Sequence, residues 1–84
     1  MGHETGYHLN PIQRGEYGEI SKIQEELDEL KDAALQASSI LIALELADLY
    51  GAIEGFAESQ GIDMTEVIRF SVITKRAFKS GERG

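Results

Sequence analysis

The chain has 84 residues, with 15 acidic side chains against 8 basic ones, a formal net charge of -7, one Pro, and neither Cys nor Trp. One domain is the ceiling at this length, and so short a chain buries only about 60% of its unfolded surface. The missing Cys excludes disulfides, and a Zn site is poorly supplied because both His residues, His3 and His8, lie near the N-terminus. Self-association remains as the staple, and the composition fits a reduced compartment.

The acidic balance argues against a nucleic-acid clamp, which needs a basic face to neutralise phosphates. The first ten residues carry no basic-then-apolar leader pattern. The most apolar stretch, residues 40–53, is too short to span a bilayer and contains two acids. A soluble, cytoplasmic protein without nucleic-acid or membrane partners is expected.

In chain order, residues 1–15 are rich in Gly, His and Asn, hold Pro11, and show no period, so they read as an extended arm with His3 and His8 uninvolved. Residues 16–84 form the domain. From Glu16 the pattern becomes helical, and Ile20, Ile23, Leu27, Leu30 and Ala34 follow the 3-4-3-4 spacing of one face. A second helix spans about residues 39–59, with Ser38 or Ser39 as its cap and Gly61 suited to the left-handed position past its end. A third starts at Asp63, where Asp63 and Glu66 read as a capping-box variant, and runs to about residue 79. No strand-like alternation is present. The expected fold class is all-α: an antiparallel helical hairpin plus a third helix.

The second helix poses a problem. It is apolar nearly all round, so it should be buried nearly all round. With Leu41 at zero on the wheel, Glu45 falls near about 40° and Asp48 near about -20°, both inside the apolar surface. An unpaired buried carboxylate costs several kcal/mol, so something must compensate these two. Tyr50 and Phe56, at helical spacing on this helix, read as core or interface rather than as a stacking platform.

Helix 1 repeats the motif. Glu26 and Glu29, like Glu45 and Asp48, are spaced i, i+3, which puts each pair on one helix face. Residue 37 is the midpoint both of 26 and 48 and of 29 and 45. If the chain reverses at Ala37-Ser38, Glu29 lies opposite Glu45 and Glu26 opposite Asp48, and four carboxylates converge at one level. An uninterrupted helix would instead hold Glu29 and Glu45 roughly 24 Å apart. Converging all-oxygen ligands point to Mg²⁺ or Mn²⁺, and less to Ca²⁺, because EF-hand spacing is absent. A di-iron bundle needs Glu-x-x-His pairs, and no His follows residue 8. Arg69, Lys75, Arg76, Lys79 and Arg83 put five of the eight bases in the last 16 residues, placed either for phosphate or simply for the negative end of a helix.

Glu25-Glu26-x-x-Glu29 and Glu45-x-x-Asp48, with fifteen residues between Glu29 and Glu45, together resemble the MazG-like members of the all-α nucleoside triphosphate pyrophosphohydrolases. The likeness runs from about Tyr17 to Arg83 and takes in residues 22–26, 32–36, 45–54 and 74–83. It departs at Thr74, near which relatives often carry Asn. The resemblance implies hydrolysis of a nucleoside triphosphate to the monophosphate and pyrophosphate. It also implies Glu26, Glu29, Glu45 and Asp48 as metal ligands, Lys22, Lys75, Arg76 and Arg83 as phosphate contacts, and Glu25 as an aid to water activation. Phosphoribosyl-ATP pyrophosphatases share this architecture and offer a second substrate. A non-catalytic helical oligomer or partner-binding protein is the competing class. In either case one chain cannot complete a four-helix core, so a homodimer or a dimer of dimers is expected.

Overall fold

In a computed structural model, which describes residues 8–81, the chain folds as three helices: α1 (Ile20–Leu35), α2 (Ser39–Ser59) and α3 (Met64–Ser80), with no strand among the described residues. The helical pattern begins at residue 16, but α1 starts four residues later. Tyr17 and Gly18 form a turn first, and Gly18 sits at φ 94°, a left-handed conformation that a Cβ resists and glycine adopts freely. Glu19 is then the N-cap, with no side-chain capping bond.

The reversal falls where the register arithmetic puts it. Gln36 closes α1, Ala37 takes a left-handed φ of 56°, and the Ser38 hydroxyl caps α2 by accepting from the Leu41 N–H at 3.2 Å. Helices α1 and α2 pack along their lengths as an antiparallel hairpin. Past α2, Gly61 adopts the expected left-handed conformation, and the Asp63 carboxylate caps α3 through the Thr65 N–H at 2.9 Å. The reciprocal half of the capping box is replaced: Glu66 pairs forward with Arg69.

The interior inverts the usual composition. Among the described residues, those buried are Gly55, three alanines (Ala33, Ala52, Ala57) and four carboxylates (Glu25, Glu26, Asp32, Glu45). Large apolar groups lie outside, with Leu35 71% and Ile40 74% exposed. Helix α3 contacts α2 alone and buries none of its own residues. The hairpin therefore positions the acids, while most of the apolar surface stays open on one chain.

Residues 8–18 run back along α1, tied by their backbone N–H groups: Leu9 and Asn10 to Asp32, Gly15 to Glu25, and Glu16 to the Ser21 hydroxyl. Among the described residues, no helix is long and apolar enough to cross a membrane.

Candidate metal centre

Glu26 and Glu29 come from the middle of α1, and Glu45 and Asp48 from the facing stretch of α2. Each offers a carboxylate oxygen, and these four atoms all lie within 4.8 Å of one another. The i, i+3 spacing on each helix and the left-handed turn at Ala37 together produce this convergence. Its members are unequal. Glu45 is 1% exposed and Glu26 5%, Glu29 is half-buried, and Asp48 is exposed. The expectation that Asp48 is buried beside Glu45 is thus corrected: its wheel neighbours on α2, Leu44 among them, are themselves exposed on a single chain.

The four buried carboxylates sort into two kinds by what compensates them. Asp32 accepts from the Leu9 N–H at 2.8 Å, the Asn10 N–H at 3.0 Å and the Gln36 amide at 2.8 Å. Glu25 accepts from the Gly15 N–H at 2.9 Å and from the Lys22 ammonium at 3.1 Å. Burial alone would raise both groups, but these donors prevail and hold each carboxyl below its ordinary value. Both acids are satisfied by the protein itself.

Glu26 and Glu45 are not. Lys22 reaches Glu26 Oε2 at 3.0 Å, but Glu26 Oε1 and Glu45 Oε1 are buried with no hydrogen-bond partner. Burial, then the neighbouring Glu26 carboxylate and the bond to Glu45, push Glu29 up to about 8. Burial likewise raises Glu45, with Asp48 and Glu26 adding to the effect against the opposing bond from Glu29. Burial and the neighbouring carboxylates thus make both Glu29 and Glu45 weaker acids than ordinary glutamates. Partnerless buried oxygens cost about 1–3 kcal/mol each, and more when charged. Two of them, on members of an all-oxygen cluster, fit a hard divalent cation.

Lys22 stands beside the cluster and is raised above its ordinary value, because the pull of Glu26 and Glu25 outweighs burial. Next to it opens a cleft of about 490 Å³, lined by Tyr17, Lys22, Glu26, Asp48, Gly51 and Glu54 among others. Glu25 opens instead into a separate groove with Gln13, Arg14, Gln24 and Asp28. The wheel puts Glu25 on a solvated face, but the segment before α1 covers that face and buries the side chain. Lys75 and Arg76 lie on α3 in another groove with Val72 and Lys79, apart from the four carboxylates. Arg83 lies outside the described residues.

Sequence reasoning missed His8. It is expected to be uninvolved, yet its side chain is 5% exposed and its ring lies 3.9 Å from both Glu29 and Asp32. No helical period points to it; the only signal is proximity of the segment's N–H groups to Asp32, which a sequence does not display.

Comparison with curated proteins and with solved structures returns no match. Residues 7–72 match the family model described as phosphoribosyl-ATP pyrophosphohydrolase, and that stretch contains the whole hairpin and all four converging carboxylates. With that match and this geometry, the chain belongs to the phosphoribosyl-ATP pyrophosphohydrolase family, within the MazG-like all-α superfamily of pyrophosphohydrolases that act on phosphoric anhydride bonds.

Proposed function

We propose that this protein is a Mg²⁺-dependent pyrophosphohydrolase that converts a nucleoside or deoxynucleoside triphosphate and water to the monophosphate and pyrophosphate. The observation that carries the reading is the pair of partnerless buried oxygens, Glu26 Oε1 and Glu45 Oε1, inside a four-carboxylate cluster. An acidic cluster repels a polyphosphate unless cations stand between them, so the donor set makes sense as a holder of metal. A bound Mg²⁺ would neutralise phosphate charge and polarise the phosphoryl group under attack. Glu26, Glu29, Glu45 and Asp48 would hold it, and Lys22, on the wall of the adjoining cleft, would meet phosphate oxygens. Glu25 serves this arrangement by fixing Lys22 rather than by reaching into the cleft. Lys75, Arg76 and Arg83 remain phosphate contacts by resemblance, supplied from the same chain or a neighbouring copy.

The assembly belongs to the same proposal. Three alanines as the buried apolar residues among those described, and a Cα radius of gyration of 14.5 Å against about 12 Å for a compact chain of this length, support reading the chain as an incomplete bundle. A homodimer or dimer of dimers would cover its exposed apolar groups.

The test is pyrophosphate release with Mg²⁺ across a panel of nucleoside and deoxynucleoside triphosphates. Phosphoribosyl-ATP belongs in that panel because the family's description names it. Release is expected with at least one member and should fall at least about 100-fold in Glu45→Gln. No release across the panel, or equal rates in the variant, defeats the reading. Light scattering that shows a monomer at micromolar concentration defeats the assembly.

A further inference from the structure

The carboxylate cluster and Lys22 account for the phosphates of the substrate but leave its base without a partner. Tyr17 stands on the same cleft wall as Lys22 and Asp48, and it also lines the neighbouring cleft with Glu58, Ile62 and Met64. The residue is 68% exposed, yet its side chain is not loose. One edge rests on α2 at Gly55, where a Cβ would come within 2.5 Å of Cε1 and 2.6 Å of Cζ. The turn that carries it is pinned to the same helix, since the Ser59 hydroxyl donates to the Gly18 carbonyl at 2.7 Å. An aromatic side chain is thereby seated on a gap in α2 beside the phosphate end of the site. The other two tyrosine and phenylalanine candidates on α2, Tyr50 and Phe56, line neither cleft.

We propose that Tyr17 is the stacking platform for the nucleobase, with Gly55 as the residue that makes room for it. The inference rests on the triphosphate reading of the cluster and adds the recognition of the base to it. A π-face tolerates every base, so this platform contributes affinity for nucleotides over bare polyphosphate without choosing among bases. Its position before α1, on the segment that also ties Glu25, joins the base site and the phosphate site through one stretch of backbone.

The test measures equilibrium binding, with Mg²⁺ present, of a non-hydrolysable nucleoside triphosphate and of inorganic tripolyphosphate to the full chain. Tyr17→Ala should weaken the nucleotide by roughly 5- to 150-fold while leaving tripolyphosphate within about twofold. Tyr17→Phe should restore nucleotide affinity, because the ring and not the hydroxyl makes the contact. Gly55→Ala is compatible with the helix, since alanine is the stronger helix former, yet its methyl displaces the ring, so nucleotide affinity should fall part of the way. Equal nucleotide affinity in wild type and Tyr17→Ala overturns the platform, and so does equal weakening of both ligands. A change of light-scattering mass in Tyr17→Ala would also overturn it by assigning the ring to an interface. Wild type that binds tripolyphosphate no worse than nucleotide refutes the platform alone. Wild type that binds neither refutes the triphosphate site and the platform with it.

Discussion

Freed of metal, the protein should become less stable as the pH rises from about 5 to about 8, the reverse of an ordinary acidic protein leaving its acid-denaturation range. Glu29 is pushed up to about 8 in the folded chain from an ordinary value of 4.5. A raised carboxyl contributes its full stabilisation below its unfolded value, and that contribution is lost as the pH climbs through the folded value. At about 1.36 kcal/mol per pH unit the gap is worth on the order of 3–5 kcal/mol, with part of the effect shared by Glu45, which moves the same way. An 84-residue chain has only about 4–13 kcal/mol in total, so the loss is a large fraction. At about 4–8 °C per kcal/mol, Tm in EDTA should drop by at least about 10 °C between pH 5 and pH 8. Glu25 and Asp32 act in the opposite sense and set the acid limit, since their lowered carboxyls stabilise above the ordinary value and lose that effect as the pH falls below it. Excess Mg²⁺ should restore Tm most at pH 8 and should release about one proton on binding near pH 7. Thermal scans in EDTA and in Mg²⁺ across this range, on wild type and Glu29→Gln, provide the assay. A flat or rising Tm in EDTA, or the same pH slope in Glu29→Gln, would refute the account of the cluster.

Three further changes probe how the site is held. Asp32→Asn removes a charged acceptor from two backbone N–H groups and should cost about 1.5–3 kcal/mol in urea unfolding, with faster hydrogen exchange at Leu9 and Asn10. Ala37→Gly relieves a left-handed φ at a non-glycine residue and should raise stability by about 0.5–1 kcal/mol in the same assay. Ser38→Ala deletes the cap of α2 and should cost about 0.5–2 kcal/mol, while Ser39→Ala changes little.

The hairpin and its cluster were readable because they follow from counting. Two acidic pairs whose indices share the midpoint 37 can meet only if the chain reverses there, and Ala37 is where it reverses. The span of α2 and the cap at Asp63 were equally legible, since periodicity and side-chain chemistry mark both. Burial on the second face of α1 was not. A wheel knows only helix faces, whereas Glu25 and Asp32 are covered by an aperiodic segment whose backbone N–H groups do the binding. His8 reaches Glu29 through that same backbone, and the seat of Tyr17 depends on a missing Cβ across the structure at Gly55. Asp48 misled for another reason, because apolar neighbours on a helix mean burial only when something packs against them.

The short connection of residues 36–38 also works as a ruler. One residue added to the helical stretches between Glu29 and Glu45, on either side of this connection, would turn the acid beyond it by about 100° on its helix and shift it about 1.5 Å. Glu45 would leave the interior, and an apolar neighbour would replace it opposite Glu29. Related sequences should therefore conserve the number of residues in this connection, with a capping side chain at the position of Ser38 and a residue that tolerates a left-handed φ at that of Ala37. The link between α2 and α3 carries no such constraint, because α3 leans on α2 without contributing any of the four oxygens. Insertions should collect there, and the distance between the two acidic motifs should be the most invariant length in the chain.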